Sequence, residues 1–314
     1  MSGTIPLYFF TGRPHNMEYP KGIRRGGSGF RFPAPFSVSS RKMSFSTPQI
    51  HGRSAMTNDP IRSFQVDQLK VEVYRDRRDL GSAAGRRAAE KIREALARQD
   101  EVRVIFAAAP SQNETLETLA QAEDIDWSRV VGLHMDEYIG LAPEAPQRFS
   151  RYLYDHIVKK VPFKEFLYLD DTALALGPDE IIARYTEILK AAPVDLVCMG
   201  IGENGHIAFN DPPVDFDDPR LVKVVDLDDV CRQQQVNDGC FPEFDAVPKQ
   251  AVSLSVTALT GAKALVCSVP AATKRAAVMR TVSGDISGEC PATILRRHPD
   301  AVLYVETDSF DLES

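Results

Sequence analysis

From residue 59 onward, apolar and polar positions alternate between two periods. Leu69-Lys-Val-Glu-Val-Tyr74 switches apolar and polar at every step, the pattern of a half-buried edge strand. Residues 79–98 are rich in Ala, Arg and Glu and stop near Gln99-Asp100, which predicts a helix. Strands are predicted over 102–108 and 130–134, with helices over 113–121 and 148–160. A helix over 178–192 carries Pro178 near its start, where a missing N–H costs little. Val194-Asp-Leu-Val-Cys-Met199 is almost continuously apolar, as expected of a parallel strand covered on both faces. Strands over 252–256 and 264–269, helices over 271–282 and 291–297, and a last strand over 301–305 that closes the sheet complete the pattern. This alternation predicts an α/β fold: a doubly wound, mostly parallel sheet with helices on both faces, Rossmann-like in outline.

The first 58 residues break the pattern. They are rich in Gly, Ser, Pro and Arg and have neither period. They carry eight Lys or Arg against one acid, Glu18, so they contribute +7 to a chain whose net charge is −7, leaving −14 on the body. The expectation is a disordered extension, 1–58, that adds no packing to a catalytic domain spanning 59–314. Its composition also suits a transit-like peptide, or an upstream start assigned in error with Met56 as the true start. An acidic body argues against nucleic acid as a partner. No apolar run approaches the roughly 20 residues of a membrane helix, so no membrane partner is expected. Five cysteines, odd in number and without a C-x-x-C pair, read as reduced thiols of a cytoplasmic protein.

Chemistry concentrates at strand ends. Val131-Gly-Leu-His-Met-Asp136 and Met199-Gly-Ile-Gly-Glu-Asn-Gly-His206 each begin as a buried strand and finish in groups able to move protons. In an α/β sheet such positions face the ligand crevice, so Asp136 and His206 are expected in one cleft. If the strand stays extended, His134 and Asp136 share one face and Met135 and Glu137 the other. A carboxylate here can equally be a loop group or a cap for the next helix. Asn204, Asn210 and Asp211 stand beside His206, and a carboxylate near a histidine can fix its tautomer. Gly200-Ile-Gly-Glu-Asn-Gly205 also matches G-x-G-x-x-G, with Asp226 beyond it. A dinucleotide site needs a helix opening at the third glycine, and the prolines at 212, 213 and 219 oppose one. The glycines are read instead as a tight turn presenting His206. Ser111, Gln112 and Asn113 precede a helix, as do Pro270-Ala-Ala-Thr-Lys274; either turn can bind a phosphate, and either can be a plain helix start.

Taken together, these residues resemble the glucosamine-6-phosphate deaminase family, within the wider group that includes 6-phosphogluconolactonases. The resemblance runs over residues 60–308 and is most specific at His134-Met-Asp-Glu-Tyr-Ile-Gly-Leu141 and Gly202-Glu-Asn-Gly-His-Ile-Ala-Phe-Asn-Asp-Pro212. Val247-Pro-Lys-Gln-Ala251 and Thr293-Ile-Leu-Arg-Arg-His-Pro299 also fit. The lactonases are similar around the Gly-His turn but lack the Met-Asp-Glu-Tyr element. The resemblance implies that glucosamine 6-phosphate and water give fructose 6-phosphate and ammonia, with no metal or organic cofactor. It implies Asp136 as the C2 base, His206 as the ring-opening acid/base, Asp211 and Asn204 as its supports, and Lys274 as a phosphate ligand. The expected partner is a small phosphorylated amino sugar, with assembly into a homo-oligomer left open. Lactone hydrolysis, with His206 activating water, and sugar-phosphate binding without turnover are the alternatives. Two departures stand out. The family's Gly-Gly-Thr-Pro type loop is Ala107-Ala-Ala-Pro-Ser-Gln-Asn113 here, and its phosphate-clamping arginine falls at Gln235, with Arg232 displaced nearby. Glutamine lacks the charged fork, so the exact sugar phosphate is left open.

Overall fold

The computed structural model describes residues 59–169 and 177–313, and the 1–58 extension lies outside them. In chain order the elements are β1 (Arg62–Val66), β2 (Leu69–Tyr74), α1 (Arg77–Leu96), β3 (Val102–Phe106), α2 (Asn113–Ala120), β4 (Val130–His134), β5 (Asp136–Tyr138), α3 (Phe149–Leu153) and β6 (Glu165–Leu167). Then follow α4 (Pro178–Ala191), β7 (Leu196–Met199), β8 (Val222–Asp226), α5 (Asp229–Asn237), β9 (Gln250–Leu254), α6 (Val256–Thr260), β10 (Ala264–Val269), α7 (Arg275–Ser283) and β11 (Ala301–Glu306). Among the described residues the main sheet runs β1-β2-β11-β10-β7-β3-β4-β6. Its pairings are parallel except for the β1–β2 hairpin. The α/β reading therefore holds.

Each central strand feeds two apolar layers. In β3, Val104 and Phe106 pack in one cluster with α1 and α2, and Ile105 packs in the other with Ile181 and Tyr185 of α4. That is why these runs are apolar throughout rather than alternating. The chain builds β3, β4 and β6 to one side and returns through β7 to the other side of β3. The loops leaving β3 and β7 thus part at a switch point, where open α/β sheets hold their ligands.

Several expectations are corrected. β2 is not the edge strand, because β1 pairs outside it through a two-residue turn in which Asp67 takes a positive φ of 52°. β11 does not close the sheet; it lies between β2 and β10. A second, antiparallel sheet, β5-β9-β8, was not foreseen. Asp136 sits in it, opposite Ser253. The chain leaves the main sheet at Met135, so His134 and Asp136 do not share a face. His134 turns to the Leu169 N–H, 3.3 Å from its Nδ1, while Asp136 enters the crevice. The helix expected over 148–160 is α3 followed by a π-helical turn, Tyr154–Val158. Residue 256 starts α6 rather than ending a strand, since Ser255 caps that helix by accepting from the Ala258 N–H. Among the described residues no helix is long and apolar enough to cross a membrane.

Candidate active site

The crevice at the switch point is lined by Ala107–Ser111 after β3, by Met135 and Asp136, by the 200–209 loop after β7, and by Gln234, Gln235 and Asp238 at the end of α5. Asp136 and His206, 70 positions apart in sequence, both line it.

Asp136 is 5% exposed, with Phe149 and Phe209 stacked beside one another in the same wall, ring centroids 5.5 Å apart. Burial first, and the neighbouring Glu137 charge second, push the Asp136 carboxyl well above the ordinary carboxylate range. Glu137 has a different task. Its carboxylate accepts from the N–H groups of Tyr138, Phe149 and Ser150 at 3.0, 3.1 and 2.9 Å, and Arg148 Nε lies 3.8 Å away. Adjacent strand positions face opposite ways, so one carboxylate meets the cleft and the other caps α3.

His206 is placed by a glycine turn. Gly205 takes a φ of +92°, and a side chain at Gly202 would put its Cβ 2.2 Å from His206 Nε2. The imidazole therefore lies flat on the Gly202 backbone, which no other residue permits. Its Nδ1 lies 3.0 Å from Asp211 Oδ1, an angled contact rather than a straight hydrogen bond. Asn204 locks the arrangement. Its Oδ1 accepts from the His206 N–H, and its Nδ2 donates to Asp211 Oδ1 and Asp228 Oδ2, each at 2.9 Å. The Asp228 N–H donates to Asp211 Oδ2 at 3.1 Å. Burial alone would raise the Asp211 carboxyl, but His206, Asn204 and that N–H outweigh it and hold it below the usual range. With the carboxylate at Nδ1, the Nε2 side of the ring is left for the cleft. The loop is pinned from beneath. The Phe209 N–H donates to Ser253 Oγ, and Asn210 Nδ2 donates to Leu254 O, both on β9. No helix follows Gly205, in keeping with the turn reading rather than a dinucleotide site. Gly202→Ala should displace the ring and lower kcat on the order of 10²-fold with substrate affinity much less changed. Wild-type turnover in that variant would show that the imidazole position is not critical.

The residues expected at a phosphate are scattered. Ser111 lines the cleft. Gln112 does not reach in: it is fully buried, and its Nε2 donates to Met199 O and Ser268 O, tying three strand ends together. Asn113 Oδ1 accepts from the Tyr152 hydroxyl at 2.7 Å. None of residues 107–113 has a positive φ, so alanine serves where the resemblance led us to expect glycine. Arg232 is corrected outright as a cleft residue. Its Nη2 donates to Phe244 O and Val247 O, and its guanidinium stacks 4.0 Å over the Phe244 ring. Lys274 is 4% exposed, with Nζ 3.7 Å from Glu203 Oε1 and 3.6 Å from Asp238 Oδ2.

Sequence reasoning missed Asp228, Ser253 and Asp238, and placed Glu137 on the face opposite Asp136 with a helix cap as one of its open readings. Asp228 left a signal: it caps α5 by accepting from the Cys231 N–H, and Asp before a helix is a recognisable start. A metal-like trio of His206, Asp211 and Cys231 has ligand atoms within 4.8 Å of one another. Burial and the Asp211 and Asp228 charges push the Cys231 thiol up, away from the thiolate a metal requires.

Comparisons with known proteins show the family and the fold. A family model described as glucosamine-6-phosphate isomerases/6-phosphogluconolactonase matches residues 75–304. A glucosamine-6-phosphate deaminase of Streptococcus sanguinis is 32% identical over 228 residues, covering 73% of this chain and 94% of the relative. One from Listeria monocytogenes is 32% identical over 229 residues, covering 73% and 95%. Among solved structures, a monomeric glucosamine-6-phosphate deaminase superposes with a TM-score of 0.68 at 24% identity, over 76% of this chain and 98% of the other. The 6-phosphogluconolactonase of Thermotoga maritima gives 0.60 at 19%, over 75% and 98%. At those identities the two structures speak for the fold. The chain belongs to the glucosamine-6-phosphate isomerase/6-phosphogluconolactonase family.

Proposed function

We propose that the chain is an isomerising deaminase that converts glucosamine 6-phosphate and water to fructose 6-phosphate and ammonia. The observation that carries this reading is the pairing of a buried carboxylate, Asp136, with a carboxylate-backed imidazole, His206, in one cleft. His206 relays a proton from the anomeric hydroxyl to the ring oxygen and so opens the sugar. Asp136 takes the C2 proton, and the electron pair of that C–H bond forms an enolamine as a proton of the substrate's C2 ammonium group passes to the carbonyl oxygen. Asp136 returns the proton to C1, which leaves an imine at C2. Water adds there and ammonia departs. The named relatives support this substrate, since both are glucosamine-6-phosphate deaminases. A lactone hydrolase would use His206 to activate water and would leave the separately buried Asp136 without a task.

All five thiols are free and four are buried, which supports assigning this hydrolase-type enzyme to the cytoplasm. Ammonia release from glucosamine 6-phosphate is the direct test; none from it or from any other 2-amino-2-deoxyhexose 6-phosphate would sink the proposal. His206→Gln should slow the closed-ring sugar far more than an open-chain analogue, because only the former needs the proton relay. An equal slowing of both would remove the ring-opening role.

A further inference from the structure

Two glutamines stand side by side on the cleft wall, and their amides are used differently. Gln234 and Gln235, near the end of α5, both line the cleft and are both 6% exposed. The Gln234 amide is satisfied within the protein. Its Oε1 accepts from the Glu203 N–H at 2.8 Å, and its Nε2 donates to Asp238 Oδ2 at 3.2 Å. The Gln235 amide is engaged at one end, where Oε1 accepts from the Tyr138 hydroxyl at 2.8 Å. Its Nε2 has no hydrogen-bond partner among the described residues, and it is not sealed in as the unpaired Gln112 Oε1 and Asn210 Oδ1 are. A side-chain N–H donor is therefore left open on the lining of the cleft.

Tyr138 is held for this contact. It lies two positions after Asp136 on β5, so the two side chains leave the same face of the strand. It is 2% exposed, and its ring meets Phe149, Phe209 and Phe241 with centroids 4.7, 5.2 and 5.4 Å away. The Gln235 carbonyl accepts from the Cys240 and Phe241 N–H groups at 2.9 and 3.3 Å, which fixes the backbone beneath the amide. Burial lifts the Tyr138 phenol well above its ordinary range, so the hydroxyl keeps its proton. A buried hydroxyl proton requires an acceptor. With the amide turned over it would face a second donor, so the contact selects the orientation that turns Nε2 away from Tyr138.

We infer that Tyr138 is a positioning residue that acts through Gln235: its hydroxyl locks the amide so that Nε2 donates to an oxygen of the substrate bound in the cleft. Among the described residues no arginine or lysine lines the cleft, so this contact is neutral and directional. It favours an acceptor oxygen over a donor group at the same place.

The inference takes its substrate from the deaminase reading above, so affinity is measured apart from turnover, by calorimetry of the full chain with fructose 6-phosphate. A neutral hydrogen bond is worth about 3- to 10-fold in affinity. Gln235→Met keeps the length and removes the N–H, and it should raise Kd by about that factor. Tyr138→Phe should raise Kd in the wild-type background and add nothing in the Gln235→Met background, because the amide it orients is gone. A Tyr138→Phe loss of the same size in both backgrounds would mean a merely structural role and overturn the inference, as would wild-type affinity in Gln235→Met. Each single variant leaves a buried partner unpaired and should melt lower than the double variant, which removes both. If a single variant does not fold, the double variant decides: an unchanged Kd overturns the inference. If wild type releases no ammonia from glucosamine 6-phosphate, the deaminase reading fails by itself, and the same cycle with 6-phosphogluconate decides the Gln235 contact. If neither compound binds wild type, the inference falls.

Discussion

Asp136→Asn should lower kcat by at least about 10²-fold while binding of the sugar changes little, because it removes the proposed proton acceptor and keeps the shape. A variant that keeps more than about a tenth of wild-type kcat would place the base elsewhere. As the proposed base, Asp136 would work ionised, so kcat/KM should rise with pH through its pKa. Burial and the Glu137 charge lift that pKa, so the acid limb should fall well above the usual aspartate value of about 3.9. Stability runs the other way. The fold prefers the neutral carboxyl, so this stability is fully present below the unfolded pKa of about 3.9 and is lost as pH rises through the folded pKa. Asp136→Asn should therefore melt at least as high as wild type at neutral pH. A lower melting temperature there would mean that the carboxylate is a structural ligand after all.

The neighbouring residue should behave in the opposite manner. Glu137→Ala strips three backbone N–H groups of their acceptor and removes an ion pair whose side chains are 2% and 3% exposed. Losing one partner of such a buried set costs on the order of 3–5 kcal/mol. In a domain of this size that lowers the melting temperature by on the order of 10 °C. Glu137→Gln should recover part of the loss, since its carbonyl oxygen still accepts. A melting temperature within about 2 °C of wild type for Glu137→Ala would show that α3 does not depend on this cap.

The contrast between these two carboxylates marks how far the sequence could be read. Asp136 and His206 were legible because each ends a long apolar run, and the sheet's geometry fixes where such ends point. The glycines at 202 and 205 were legible as a turn because the prolines after them forbid a helix. The division of labour between Asp136 and Glu137 was not, since it depends on where α3 begins, 11 residues after β5 ends. β5 itself is three residues long, too short to show a period, so the second sheet was invisible. Arg232 misled because an arginine looks the same in sequence whether it faces a ligand or carbonyl groups. The Glu203–Lys274–Asp238 cluster joins three separate loops and leaves no local pattern at all.

The place of β11 has a consequence for how the molecule is made. β11 inserts between β2 and β10, and among the described residues β2 meets the rest of the sheet through β11 alone of the strand pairings. As the chain is synthesised, the β1–β2 hairpin must wait with one edge unpaired until residues 301–306 arrive. That long-range closure favours slow assembly. It exposes a sticky strand edge to neighbouring nascent chains in the interval. Truncation by as few as the last 14 residues would leave that hairpin without its partner strand. Expression yield should therefore depend more steeply on the integrity of residues 301–306 than their distance from the candidate cleft would suggest.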